Sequence, residues 1–149
     1  MTLNLNYAQA TGIWTKDNGI VIVPPDCAWA GNDSNPDANP TGIHGKNNPL
    51  AESEHCIGPL PHGLYRFGEW AMTPDDVARL GYPVHLGLII SHLEQIGGET
   101  YGRNGFYVHG PSSDPAKYGQ ESEGCIVTLH GYRIMLAGML PDTLTVTPN

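Results

Sequence analysis

A cysteine and a histidine in the C-terminal half of the chain are of the types, and lie at the spacing, that thiol chemistry requires. His109 ends the apolar run Phe106-Tyr-Val-His109, and Cys125 follows Ser122-Glu-Gly at the start of a second apolar run. A free thiol, with a pKa of about 8.5, is mostly protonated at neutral pH. If the two runs form neighbouring strands, the imidazole can accept that proton. The pattern predicts Cys125 as a nucleophile with His109 as its base.

A glycine directly precedes the cysteine. Because it lacks a Cβ, Gly124 would allow a substrate carbonyl to approach the backbone, and the amides of Gly124 and Cys125 could donate to an oxyanion. The same residues also have a structural interpretation, in which Cys125 is a buried thiol beside a core histidine. Residue types alone leave both interpretations open.

Several other residues are candidates for binding a substrate. Tyr107 precedes His109 by two positions, so in a strand both side chains face the same side, where Tyr107 lines a cleft or packs in the core. Arg103 is a candidate for carboxylate recognition. Lysine pairs with carboxylates and asparagine both donates and accepts. One polar loop therefore either contacts a peptide or forms a simple turn through Lys46, Asn47 and Asn48.

The elements that must position these residues are predicted to be short strands joined by many turns. The chain has 19 glycines and 13 prolines among 149 residues, which argues against a helical bundle. We expect one domain over residues 1–149, mainly β, a barrel or sandwich with one or two short helices. The predicted elements are a β-meander over 3–31 with a tight turn at Asn18-Gly19, strands over 61–67, 84–91, 105–109, 125–127 and 143–147, and helices over 73–81 and 130–138.

Composition makes several classes of function improbable. The formal net charge of −8 gives no attraction to phosphate backbones or anionic lipid, so neither nucleic acid nor membrane is an expected partner. The N-terminal residues do not show the basic region followed by a continuous apolar region that is typical of a classical signal peptide. The three cysteines allow at most one disulfide, for which Cys27 and Cys56 are the candidates. No His-Glu-x-x-His motif occurs, so no metal and no cofactor is predicted.

Three ordered segments resemble the L,D-transpeptidase (YkuD-type) catalytic domain. They are Gly45-Lys-Asn-Asn-Pro49, Gly58-Pro-Leu-Pro-His-Gly-Leu-Tyr65, and His109-Gly110 followed by Ser122-Glu-Gly-Cys-Ile126. The first and last are similar to a subgroup that includes small antibacterial effectors of type VI secretion. The similarity spans roughly residues 12–147. In this chain Glu123 stands where the broad family has His, and Val127 where Asn or Arg is common.

The resemblance implies a substrate and a division of roles. Cys125 would attack the meso-diaminopimelate carbonyl of a peptidoglycan tetrapeptide stem and release D-Ala, with His109 as base and amides near Gly124 holding the oxyanion. The acyl-enzyme would pass to water, as in an L,D-carboxypeptidase, or to an amine, as in a transpeptidase. Residues beside the substrate would be Tyr107, Gly110, Ser122 and Glu123, together with Lys46, Asn47 and Asn48.

The resemblance also implies a location and partners. Peptidoglycan lies outside the cytoplasm and no Sec signal is evident, so we expect secretion by another route and action in the periplasm of target bacteria. A cognate immunity protein and a component of the secretion machine are the expected protein partners. The alternatives are a phage-type lytic enzyme, a peptidoglycan-binding module whose cysteine is inert, and a zinc amidase.

Overall fold

Nine strands and two helices make up the regular structure in the computed structural model, which describes residues 2–33, 44–113 and 122–149. The strands form one nearly closed, barrel-like sheet in the order β3-β2-β1-β9-β5-β6-β7-β8-β4. The mainly β fold predicted from the sequence is therefore confirmed. The elements are β1 (Asn4–Ala8), β2 (Trp14–Lys16), β3 (Val21–Val23), β4 (Ala28–Ala30), β5 (Gly63–Phe67), α1 (Pro74–Leu80), β6 (Ser91–Gly97), β7 (Phe106–His109), β8 (Ile126–Thr128), α2 (His130–Met139) and β9 (Thr143–Thr147).

Alternating strand residues build the core on one face of this sheet. In β1 and β9, which pair in parallel, the core positions are Leu5, Tyr7, Leu144 and Val146. Each large apolar side chain buried in this way contributes about 1.5–3 kcal/mol to folding. Because β1 and β9 are near the two ends of the sequence, their pairing joins those ends at the middle of the sheet.

The predicted turn and first helix are confirmed. Gly19 has φ +86°, which L side chains rarely adopt, and its N–H donates to the Lys16 carbonyl at 2.9 Å. Helix α1 begins after Thr73, whose Oγ1 accepts from the Asp76 N–H at 3.2 Å, and the Asp76 carboxylate accepts from the Thr73 N–H in return. The helix ends at Gly81, which is left-handed.

The predicted strand over 84–91 is wrong. Val84–Leu86 forms a short 3₁₀ turn with the Val84 side chain 83% exposed, and the strand begins only at Ser91. Gly87 has φ +82° and Ile89 has φ +59°, which are not strand conformations, so this apolar run cannot continue as a regular strand. The more polar β6, which follows it, was not predicted because its apolar residues are few.

The predicted meander over 3–31 holds only through β3. After Pro24-Pro25, Asp26 takes a positive φ of 67° and the chain leaves the sheet edge. Strand β4 then pairs with β8 at the opposite edge, with Trp29 across from Val127. Residues 34–43, which precede the polar loop with Lys46, Asn47 and Asn48, lie outside the described residues. The path of β4 brings an aromatic residue next to the strand that follows Cys125.

The parallel pairing of β7 and β8 is the feature of the fold that matters most for chemistry. Val108 lies across from Ile126, and His109 across from Val127. Parallel neighbours require a return connection between them, and residues 110–125 make that connection. None of the described helices has the length and apolar character needed to cross a bilayer.

Candidate active site

The register of β7 and β8 brings the predicted nucleophile and base into one neighbourhood. Cys125 immediately precedes β8, so continuing the register places it level with Tyr107 and two positions from His109. A strand rise of about 3.3 Å and a strand spacing of about 4.8 Å put the Cα atoms of Cys125 and His109 roughly 8 Å apart. Since side chains alternate, both residues fall on the face opposite Val108 and Ile126. The two side chains can therefore meet across neighbouring strands.

The Cys125 thiol lies against the backbone at the start of β7. Its Sγ accepts a hydrogen bond from the Tyr107 N–H at 3.3 Å and lies 3.8 Å from the Gly105 carbonyl. Burial raises the pKa of Cys125 to about 11, against the influence of the Tyr107 N–H and the Arg103 charge, which lower it. At pH 7 the resting sulfur is therefore mostly a protonated thiol.

The hydrogen bond of His109 fixes which ring nitrogen can act as a base. His109 is 4% exposed, and its Nδ1 lies 2.7 Å from the Gly110 carbonyl oxygen. A carbonyl only accepts, so Nδ1 carries the hydrogen and Nε2 of the neutral ring carries the lone pair. This tautomer is the one that a proton acceptor requires.

Arg103 does not recognise a substrate carboxylate. Its guanidinium is buried and lies 5.3 Å from the centre of the Phe106 ring. It donates to four backbone carbonyls, those of Glu52, Gly58, Pro59 and Glu123. The arginine therefore holds the segment around residue 58 against the residues that precede Cys125.

Gly124 is required by packing rather than by a substrate. Its φ is +131°, and a Cβ here would lie 2.5 Å from Arg103 Nη2 and 2.7 Å from Phe106 Cε1. The Gly124 N–H donates to Ser122 Oγ at 3.0 Å, and its carbonyl accepts from the Leu60 N–H at 2.9 Å. Because this amide is already paired, the geometry does not support the prediction that it donates to an oxyanion.

Ser122 is likewise a positioning residue. Its side chain is fully buried, accepts from the Gly31 and Gly124 N–H groups, and donates to the Cys125 carbonyl at 2.6 Å. These contacts support a positioning role for Ser122, and its contact with a substrate stays a prediction. Glu123, by contrast, has an exposed side chain beside the thiol and raises the pKa of Cys125 through its charge.

The ring of Tyr107 covers the neighbouring part of this face. It lies 5.0 Å from the His92 ring and 5.3 Å from the Tyr82 ring, measured between centroids. Tyr107 is half-buried, so one side packs against these rings while part of the surface stays open. Both expectations for this residue, cleft lining and packing, are compatible with this position.

In the loop that contains Lys46, Asn47 and Asn48, most of the polar groups form hydrogen bonds within the protein. Asn47 donates to and accepts from the backbone of Ala30 at 2.8 and 3.3 Å, and Asn48 Oδ1 caps the 3₁₀ turn Pro49–Ala51. These contacts support the turn interpretation for both asparagines. Lys46 differs, because its Nζ lies 5.4 Å from the centre of the Trp29 ring.

A cavity of about 450 Å³ opens beside His109. It lies between residues 85–88 and the segment 109–113 that follows β7, and Arg133 of α2 forms part of its wall. Arg133 is not among the site residues predicted from the sequence. The signal was a lone charge on the buried face of α2, since Leu136 and Ala137, three and four positions further on, are both buried.

No group of three or more metal-ligating side chains occurs among the described residues, and the three cysteines are free thiols. No protein-family model matches the chain, and no curated protein gives a significant match.

The carbonyl contacts of Arg103 predict a large loss of stability when the guanidinium is removed. We expect Arg103→Gln to lower the free energy of unfolding by about 3 kcal/mol or more, because several buried carbonyls lose their donors at about 1–3 kcal/mol each. The matched control, Arg66→Gln, removes an exposed arginine and should change it by less than about 0.5 kcal/mol. Urea denaturation measures both, and similar small losses in the two variants would contradict the assignment.

The raised pKa of Cys125 predicts an unusual pH dependence of alkylation. Because the reactive form is the thiolate, the rate at which iodoacetamide modifies Cys125 should rise about tenfold per pH unit from pH 7 and approach a plateau only near pH 11. Peptide mass spectrometry reads this rate, with the exposed Cys56 as an internal control for reagent access. A plateau below pH 8 would show instead a thiolate already formed at rest.

Proposed function

We propose that the chain is a cysteine enzyme that modifies peptidoglycan stem peptides, as an L,D-transpeptidase or L,D-carboxypeptidase. One observation carries the proposal: Cys125 and His109 lie two register positions apart on neighbouring strands, and the Gly110 carbonyl holds His109 in the tautomer with its lone pair on Nε2. The three motif segments of the sequence supply the substrate class.

The geometry suggests how the acyl transfer proceeds. As the Cys125 sulfur attacks the meso-diaminopimelate carbonyl, His109 Nε2 takes the thiol proton and an S–C bond forms. The C–N bond to D-Ala then breaks, and His109 returns the proton to the leaving nitrogen. Water or an amine next attacks the thioester and passes its proton through His109 to the departing sulfur. The Tyr107 N–H stabilises that sulfur whenever it carries charge.

The raised thiol pKa defines the task of His109. A resting thiol cannot attack at a useful rate, so the base removes the proton during the attack rather than storing a thiolate beforehand. The same observation favours a second candidate, a peptidoglycan-binding module whose Cys125 is inert. The two candidates differ in whether Cys125 is needed for turnover or only for packing.

The proposed setting is antibacterial. The chain acts in the periplasm of target bacteria, and its producer carries an immunity protein that binds it. The resemblance of Gly45–Pro49 and Ser122–Ile126 to the effector subgroup supports this setting. The negative net charge of −8 is compatible with a peptide substrate that contains an amine.

Turnover of a purified disaccharide tetrapeptide, followed by mass spectrometry, tests the chemistry. We expect Cys125→Ala to abolish release of D-Ala, and His109→Ala to slow it roughly 100- to 10,000-fold because general base catalysis is lost. Cys56→Ser and His55→Ala, which change exposed residues, should leave the rate unchanged. Full turnover by folded Cys125→Ala protein would refute the mechanism and favour a different activity.

Expression in a Gram-negative host tests the compartment. The chain fused to a Sec signal peptide should stop growth, whereas the unfused chain should not, since the proposed substrate lies outside the cytoplasm. The fused Cys125→Ala variant controls for the burden of export and should be harmless. Equal killing from the cytoplasm would identify another target.

A further inference from the structure

Arg133 is a buried cation that has no anionic partner among the described residues. It is 7% exposed, yet its Nε donates to the Ile89 carbonyl at 3.1 Å and its Nη1 to the Thr128 carbonyl at 2.7 Å. The guanidinium offers five N–H donors in a planar fork. Among the described residues no partner accepts from Nη2. Burial disfavours the charge of the guanidinium and lowers the pKa of Arg133.

The cavity beside His109 is where this charge is presented. Its lining includes Arg133, His109 and Gly110, with the hydroxyl-bearing Ser112 and Ser113 on the same loop. None of the described lining residues is Asp or Glu, although the whole chain has 15 acidic and 7 basic residues. An arginine on the wall of this cavity, in a protein with an excess of acidic residues, is suited to bind an anionic group of a substrate.

Gly110 has no side chain and so leaves room for the Arg133 guanidinium beside the cavity. A Cβ on Gly110 would lie 2.5 Å from Arg133 Nη1 and 2.8 Å from Nη2. The arginine therefore lies directly against the residue whose carbonyl orients His109. This contact couples the position of the cation to that of the proposed base.

We propose that this cavity is the subsite for the leaving residue of the acyl donor and that Arg133 binds its free α-carboxylate. The inference deepens the proposed function and rests on it. His109 must protonate the leaving nitrogen, and in an α-amino acid the carboxylate carbon is about 2.5 Å from that nitrogen. A group near His109 that reads the carboxylate thus makes the enzyme a carboxy-exopeptidase, which acts only where one residue follows the cleaved bond.

The chemistry also extends to the second half-reaction. In an exchange reaction the incoming amine is itself an α-amino acid with a free carboxylate. By microscopic reversibility, it enters through the same subsite that the leaving residue vacates. Arg133 therefore selects amino acid acceptors over simple amines in the same way as it selects the donor.

Two matched donors test the inference, a tetrapeptide stem ending in D-Ala and the same stem ending in D-Ala amide. We expect the native chain to use the acid roughly 10- to 100-fold better, as the loss of one charge-assisted hydrogen bond predicts. Arg133→Gln should remove this preference by slowing only the acid, and Arg133→Lys should restore part of it. The control Arg79→Gln, an exposed arginine of α1, should keep the full preference.

Equal use of both donors by the native chain, or an equal slowing of both in Arg133→Gln, would overturn the inference and leave the proposed function standing. A direct titration distinguishes failure of the proposed function from failure of the subsite. It gives an answer even if the Arg133→Gln variant does not fold. N-acetyl-D-alanine added to the full Cys125→Ala chain should shift the Nε–H resonance of Arg133 by NMR, whereas N-acetyl-D-alaninamide should not. That shift with no turnover of either donor would support the subsite and overturn the proposed function; no shift would overturn the subsite.

Discussion

The burial of Arg103 among backbone carbonyls is the interaction on which the site depends. A guanidinium removed from water must be given acceptors, and four carbonyls from two separate segments supply them. One of the four belongs to Glu123, two residues before Cys125. The position of the thiol is thus set by a charge that itself takes no part in chemistry.

The neighbouring residues follow from that constraint. Gly124 has no side chain because Arg103 and Phe106 occupy the space, and its positive φ turns the chain toward β8. Ser122 then pairs the amides and the carbonyl that this turn exposes, including the carbonyl of Cys125. The Ser-Glu-Gly-Cys segment is therefore a folded unit in which two of the three residues before the cysteine position it.

Local signals made much of the fold predictable from the sequence. Thr73 and Gly81 cap the two ends of α1 through local hydrogen bonds, and Asn18-Gly19 forms its turn without distant partners. The strand predicted over 84–91 failed because an apolar run does not report the positive φ at Ile89. The partners of Arg103 are also beyond local reasoning, since they lie more than 40 positions away or across the loop that precedes Cys125.

The two buried arginines differ in what their guanidinium groups contact and therefore in the roles we assign to them. Arg103 is surrounded by carbonyls and an aromatic ring, and both of its terminal nitrogens donate to backbone carbonyls. Arg133 donates to two carbonyls and lines the cavity beside His109, and among the described residues no acceptor pairs with its Nη2. Under the proposed function the raised pKa of Cys125 adds a complementary restraint, because the thiol would lose its proton to His109 only as it attacks a bound substrate. Recognition of the leaving carboxylate beside that histidine would then be the event that couples correct binding to proton transfer.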